Sequence, residues 1–145
     1  MSLSVALTDE AKKPAIIKDC LKLIDDEVAD KRGMGGMAVK AGYKAVKGIK
    51  PGFIKNVVEG LLPEFAEALD PLHVEAVGEG KDIPTFFGQH SGRVADALLA
   101  VTDGKAERST NGLVKSTYKR LRGSAKKNVE AAIPRLASLI QTHAG

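Results

Sequence analysis

The chain has 145 residues, a formal net charge of +4, one cysteine and few aromatic rings: four Phe, two Tyr and no Trp. That length suits one domain able to bury its own core. The single cysteine excludes a disulfide framework and a cysteine-rich metal site, and the shortage of rings argues against a stacking platform for single-stranded nucleic acid.

Residues 1–8 carry no helical pattern and are expected to be extended or disordered. Their lack of a basic region and of a long apolar run does not fit a signal peptide. From Thr8 to Lys31 the spacing predicts the first helix. Pro14 suits its first turn, and Ile17, Leu21, Ile24 and Val28 fall on one face. Cys20 borders that face and has no basic neighbour to activate it, so it reads as structural. Gly33 is expected to stop this helix.

The next segment, from Lys31 to Phe53, opens with glycines at 33, 35 and 36 and continues as a helix over about 36–49. Met34, Ala38, Ala41, Ala45 and Ile49 are predicted to point inward. Lys40, Lys44, Lys47 and Lys50 form a stripe on another face, with Tyr43 among them. Pro51-Gly52 breaks the chain. Prolines 63 and 71 then suggest two or three short helical pieces over 51–79, bent around the core, with Asp70-Pro71 as one restart.

Residues 82–90 read as a short helix whose Phe86 and Phe87 plug the core. Ser91 is expected to cap the following helix and Asp103-Gly104 to end it, leaving 105–112 as a polar loop. A last long helix begins near Asn111. Its apolar phase, through Val114, Tyr118, Leu121, Ala125, Ala132, Leu136 and Leu139, survives Pro134, which should only kink it. Lys115, Lys119, Arg122 and Lys126 flank that phase. No segment reads as a strand. The expectation is all-α: a single domain over 1–145 of six or seven helices, an irregular bundle with a bent middle section and a long C-terminal helix.

Charge is distributed in blocks. Lys31 to Val58 holds seven cations and no acid; Glu59 to Asp82 holds seven acids and one cation, Lys81; Gly104 to Lys127 holds eight cations and one acid. The plain reading is that these blocks neutralise one another across the fold. The alternative is that the basic stripes meet an outside anion or partner. Candidate residues for that role are Lys31, Arg32, Gly33, Gly35, Gly36, Lys40, Lys44, Lys47, Lys115, Lys119, Arg122 and Lys126.

The glycine cluster before a helix can present backbone amides to an anion, but no Gly-Lys-Ser/Thr follows, so it is not a phosphate loop. Gly33-Met-Gly-Gly36 resembles the Gly-x-x-Gly loop of KH domains, yet the flanks read as helix where that fold needs strands. An interhelical hinge is the favoured account. All-lysine composition would allow phosphate-backbone contact without base reading, and the alanine face is poor in the large residues a membrane-lying helix uses. His73, His90 and His143 lack partners at metal-ligand spacing, so no cofactor or metal is expected. Asp103, Asn111 and Arg93 are polar groups a fold could bring together, but no nucleophile–base set is visible.

The runs Glu27–Lys47, Leu61–Pro71 and Val101–Gly104 resemble a family of small bacterial proteins with no assigned function. The resemblance covers most of the chain. It implies a cytoplasmic bacterial protein, and it brings no catalytic residues. By elimination the sequence favours a non-enzymatic binding or interaction module, whose partner could be another protein or a second copy in a homodimer. A nucleic-acid-associated protein is the second reading, and an enzyme with a pocket hidden from sequence the third.

Overall fold

A computed structural model describes residues 3–144. It contains seven helices: α1 (Leu3–Leu7), α2 (Lys13–Asp30), α3 (Gly33–Lys47), α4 (Phe53–Gly78), α5 (Ile83–Gln89), α6 (Ser91–Arg108) and α7 (Gly112–Ala144). The all-α expectation holds, including the long final helix.

The core is built around α7. Ile133, Ala137 and Ile140 meet Leu62, Leu69 and Leu72 of α4, Phe86 and Phe87 of α5, and Val94 and Leu98 of α6 in one buried cluster. Ile16 and Ile17 of α2 close it on another side, and Cys20 and Leu21 pack against it. The N-terminal half of α7 runs beyond this core. There α6 lies along one side of it and α3 along another.

Several local expectations need correction. Within 1–8, residues 3–7 form α1 rather than extended chain, with Leu3, Ala6 and Leu7 buried; Met1 and Ser2 lie outside the described residues. The reason is long-range. Asp70 accepts the Leu3 N–H at 2.7 Å and the Ser4 hydroxyl at 2.8 Å, supplying an N-terminal cap from α4. A stretch of five residues is too short to show a helical signal in the sequence.

The span 51–79 is one helix of 26 residues, not separate pieces, with Pro63 and Pro71 inside it. Each proline removes one N–H and relieves the carbonyl four residues earlier of its donor, which bends a helix without ending it. Both prolines are exposed, so water can serve the freed carbonyls of Glu59 and Glu67.

Asp103-Gly104 does not end α6, because Asp103 is engaged by α7 and the helix continues to Arg108. The loop expected over 105–112 is therefore only 109–111. Ser91 is already helical; His90 sits at the cap position with no side-chain cap, its ring 4.3 Å from that of Phe86.

A basic face on the third helix

The glycine cluster explains how α3 starts. Arg32 is extended, and Gly33 takes φ +70°, a conformation other residues rarely adopt. Gly36 then packs on the chain behind it: a Cβ there would lie 2.7 Å from the Lys31 carbonyl carbon. Farther along, a Cβ on Gly42 would lie 2.9 Å from Leu121 Cδ1 and 3.0 Å from Thr117 Cγ2. Glycine at 36 and 42 thus lets α3 seat against the end of α2 and against α7.

This sets the phase of α3, and the phase differs from expectation. The inward side is Gly36, Val39, Gly42, Tyr43 and Val46. Met34, Ala38, Ala41 and Ala45, expected inside, are exposed; only Ile49 of that set is partly covered. Met34 is 89% exposed and its neighbour Met37 71%.

Tyr43 fixes the other edge of the helix. Its hydroxyl donates to Asp25 of α2 at 2.6 Å. Burial first, and that hydrogen bond second, push its pKa up to about 12, so it stays protonated. The Lys47 ammonium lies 5.6 Å from the centre of the same ring.

The twelve candidate residues separate into groups. Gly33 and Gly36 have the structural duties just described, whereas a Cβ on Gly35 would meet nothing within 4 Å. Lys31 is turned inward, its side chain 14% exposed and its Nζ 3.5 Å from both Glu27 and the Asn128 carbonyl. Arg135 binds the same Glu27 at 2.9 Å and Asp30 at 2.5 Å, tying α2 to α7. Arg122 is held by Asp103, and Lys126 by Asp96 at 3.1 Å. Arg32, Lys40, Lys44, Lys47, Lys115 and Lys119 carry no ion pair among the described residues.

The cations that answer the acidic block belong to α6: Arg93 pairs with Glu75 at 2.6 Å, and Arg108 reaches Glu64 at 3.5 Å. The α3 lysines therefore do not neutralise Glu59–Asp82. Nor do the two lysine stripes merge. Lys40, Lys44 and Lys47 lie about 140–160° around α3 from Gly42, and Lys115 and Lys119 about 160° around α7 from Thr117. Gly42 and Thr117 mark the seam between the two helices, so the stripes point away from it on opposite sides.

Arg93, Asp103 and Asn111 do not converge. Asn111 caps α7 by accepting the N–H groups of Leu113 and Val114 at 2.9 and 3.1 Å. Asp103 instead accepts from Arg122 Nε at 2.8 Å and Nη2 at 3.1 Å, and from the Tyr118 hydroxyl. Arg122, and Tyr118 after it, hold the Asp103 carboxyl below its ordinary value.

Beside this network a groove of about 340 Å³ opens between α2, α3 and α7, lined largely by Val28, Val39, Val46, Val114 and Leu121. A second cleft of about 450 Å³, between α2 and α4, has Pro14, Ile17 and Leu21 on its floor and Lys13, Lys55 and Glu59 around it. Among the described residues no cluster of three His, Cys, Asp or Glu could hold a metal ion. Burial, and Asp19 after it, push the Cys20 thiol up to about 11, which leaves it a poor nucleophile at neutral pH. His143 lies 2.7 Å from Asp19.

Fold and surface together define an all-α bundle that presents one short amphipathic helix, basic and apolar, to solvent. The chain belongs to the family of unknown function DUF6918, whose model matches residues 3–144. No curated protein and no solved structure matches it. The expected kinship with an uncharacterised family is thus met, although the match says nothing of the source organism. Among the described residues no helix is long and apolar enough to cross a membrane.

Proposed function

We propose that this protein is a non-enzymatic interaction module whose contact surface is the outer face of α3. One observation carries the reading: Lys40, Lys44 and Lys47 stand without ion pairs among the described residues, beside exposed Met34 and Met37. Exposed apolar side chains next to uncompensated charge are what a docking surface needs, since one supplies buried area and the other orientation and rate. Methionine adapts to irregular partner surfaces, and Ala38, Ala41 and Ala45 allow another chain to approach closely. The partner's complementary surface is acidic. The same reading takes the protein as cytoplasmic and bacterial, supported by its lone cysteine and by the resemblance of its sequence.

The test compares the proteins captured from native cells by the wild type, by K40E/K44E/K47E and by K115E/K119E. A stoichiometric acidic partner retained by the wild type and the α7 variant but lost by the α3 variant supports the reading. Equal capture by all three overturns it. Titration with duplex DNA at about 50 mM salt separates the nucleic-acid reading: binding that weakens with both stripes would replace the proposal.

A further inference from the structure

A second unpartnered surface lies on α4, opposite the core. Gly60, Pro63, Glu67, Pro71, Val74 and Gly78 are all exposed and recur at spacings of three and four, forming one ridge along about 27 Å of helix. Val74 is 65% exposed, as is Val77 beside it. Apart from Glu67 the side chains of this ridge are short; Lys105 of α6 reaches its Gly60 end, where a Cβ would lie 3.7 Å from the Lys105 Nζ, so another helix can come close along the remainder, from Pro63 to Gly78. Glu67 on the ridge and Glu59 at its edge have no ion pair among the described residues.

This is the complement of the α3 face. That face is about 22 Å long, apolar through Met34 and Met37, and flanked by lysines without ion pairs among the described residues; the ridge is apolar through Pro71 and Val74 and carries Glu67, with Glu59 at its edge beside the cleft that Lys13 and Lys55 also line. Resting on the reading of α3 as the contact surface, we propose that the α3 face of one copy docks on the α4 ridge of a second copy. The contact is head-to-tail. A two-fold contact of α3 on α3 would set lysine against lysine, whereas the α3–α4 pairing sets Lys40, Lys44 and Lys47 against Glu59 and Glu67. Because donor and acceptor surfaces are different, a pair keeps one of each free, and association continues into rings or short chains rather than stopping at a dimer. One helix pair of this length falls at the small end of interfaces, so the association is transient and salt-sensitive.

Sedimentation velocity tests this over about 10 µM to 1 mM protein. The wild type should rise in mean mass with concentration at about 50 mM salt and revert toward monomer at about 500 mM. K40E/K44E/K47E alone and E59K/E67K alone should each weaken association at least tenfold while keeping wild-type helicity by circular dichroism, since every altered position lies at the surface or its edge. Mixed, the two variants match at both contacts, the native lysine–carboxylate one and its charge-reversed counterpart, and they should regain association as alternating chains that neither variant forms alone. Association of the wild type that the α4 variant leaves intact, or that the mixture fails to restore, overturns the assignment. A wild type monomeric to 1 mM also overturns it; in that case loss of a captured acidic partner from the α3 variant would leave the interaction module standing, and unchanged capture would remove both.

Discussion

Asp70 accepts the backbone N–H of Leu3 at 2.7 Å across 67 positions of sequence. With the Ser4 hydroxyl at 2.8 Å on its other oxygen, one carboxylate in the middle of α4 starts the helix at the beginning of the chain. The link matters because α1 has five residues and cannot stand alone, yet it buries Leu3, Ala6 and Leu7.

Replacing Asp70 by Ala should therefore cost about 1–2 kcal/mol, the range of a lost N-cap. Asp70→Asn, which keeps an acceptor but loses the charge near the helix start, should cost less. Urea unfolding gives the difference. Hydrogen exchange should show α1 amides losing protection first, while those of α7 follow global stability; loss spread evenly over all helices would contradict a local capping role.

The glycines of α3 predict opposite signs from one substitution type. Gly35→Ala meets empty space in a helix and should stabilise by about 0.4–1 kcal/mol. Gly36→Ala and Gly42→Ala place a methyl 2.7 Å from backbone and 2.9 Å from Leu121. They should destabilise by about 1–3 kcal/mol, the cost of overpacking, despite alanine's better helix propensity. At position 42 the neighbours are side chains that can yield, so its loss should be the smaller of the two. Thermal or urea unfolding of the three variants decides it.

These glycines also show where the sequence could be read and where it could not. The final helix was legible because Leu136 and Leu139 are large and apolar and both pack against the core. The inward side of α3 was not, because hydrophobicity cannot distinguish a glycine that admits a neighbour from one that fills a turn. Val39, Tyr43 and Val46, at spacings of four and three, held the missing signal beside Gly36 and Gly42. The α3 lysines were visible as a stripe, but their lack of partners depends on Arg93 and Arg108 meeting the acidic block from α6. Lys31 looked like part of the basic site, yet Glu27 and the Asn128 carbonyl draw it inward; only tertiary contacts reveal that.

The Asp103–Arg122 pair gives a pH dependence. Arg122 and then Tyr118 hold the Asp103 carboxyl below its unfolded value. A depressed carboxyl contributes stability that is present above the unfolded pKa, about 3.9, and is lost as pH falls through the lower folded value. Asp30 beside Arg135 and Glu75 beside Arg93 shift the same way. Stability should thus decline below about pH 4, and Asp103→Asn should flatten part of that decline while lowering the plateau at pH 7. Because the pair is solvent-exposed, the effect should shrink at high salt. Urea midpoints between pH 2.5 and 7 measure it, and an acid limb unchanged in the variant would refute the assignment.

Thr117 carries the sharpest stability prediction. It is 4% exposed, lies where α7 meets α3, and its hydroxyl oxygen is buried with no hydrogen-bond partner among the described residues. Its methyl faces Gly42, so the residue supplies good packing and an unsatisfied polar atom together. Burying a hydroxyl without a partner costs about 1–3 kcal/mol, whereas valine has nearly the same shape and a similar helix propensity. Thr117→Val should therefore stabilise by about 1 kcal/mol or more, seen as a higher urea midpoint with an unchanged m-value. Thr117→Ser keeps the hydroxyl but removes the methyl that meets α3, and should destabilise through the cavity it leaves. Destabilisation by valine would mean that the hydroxyl has a partner in solution, and the α3–α7 seam would then be wetter than its packing indicates.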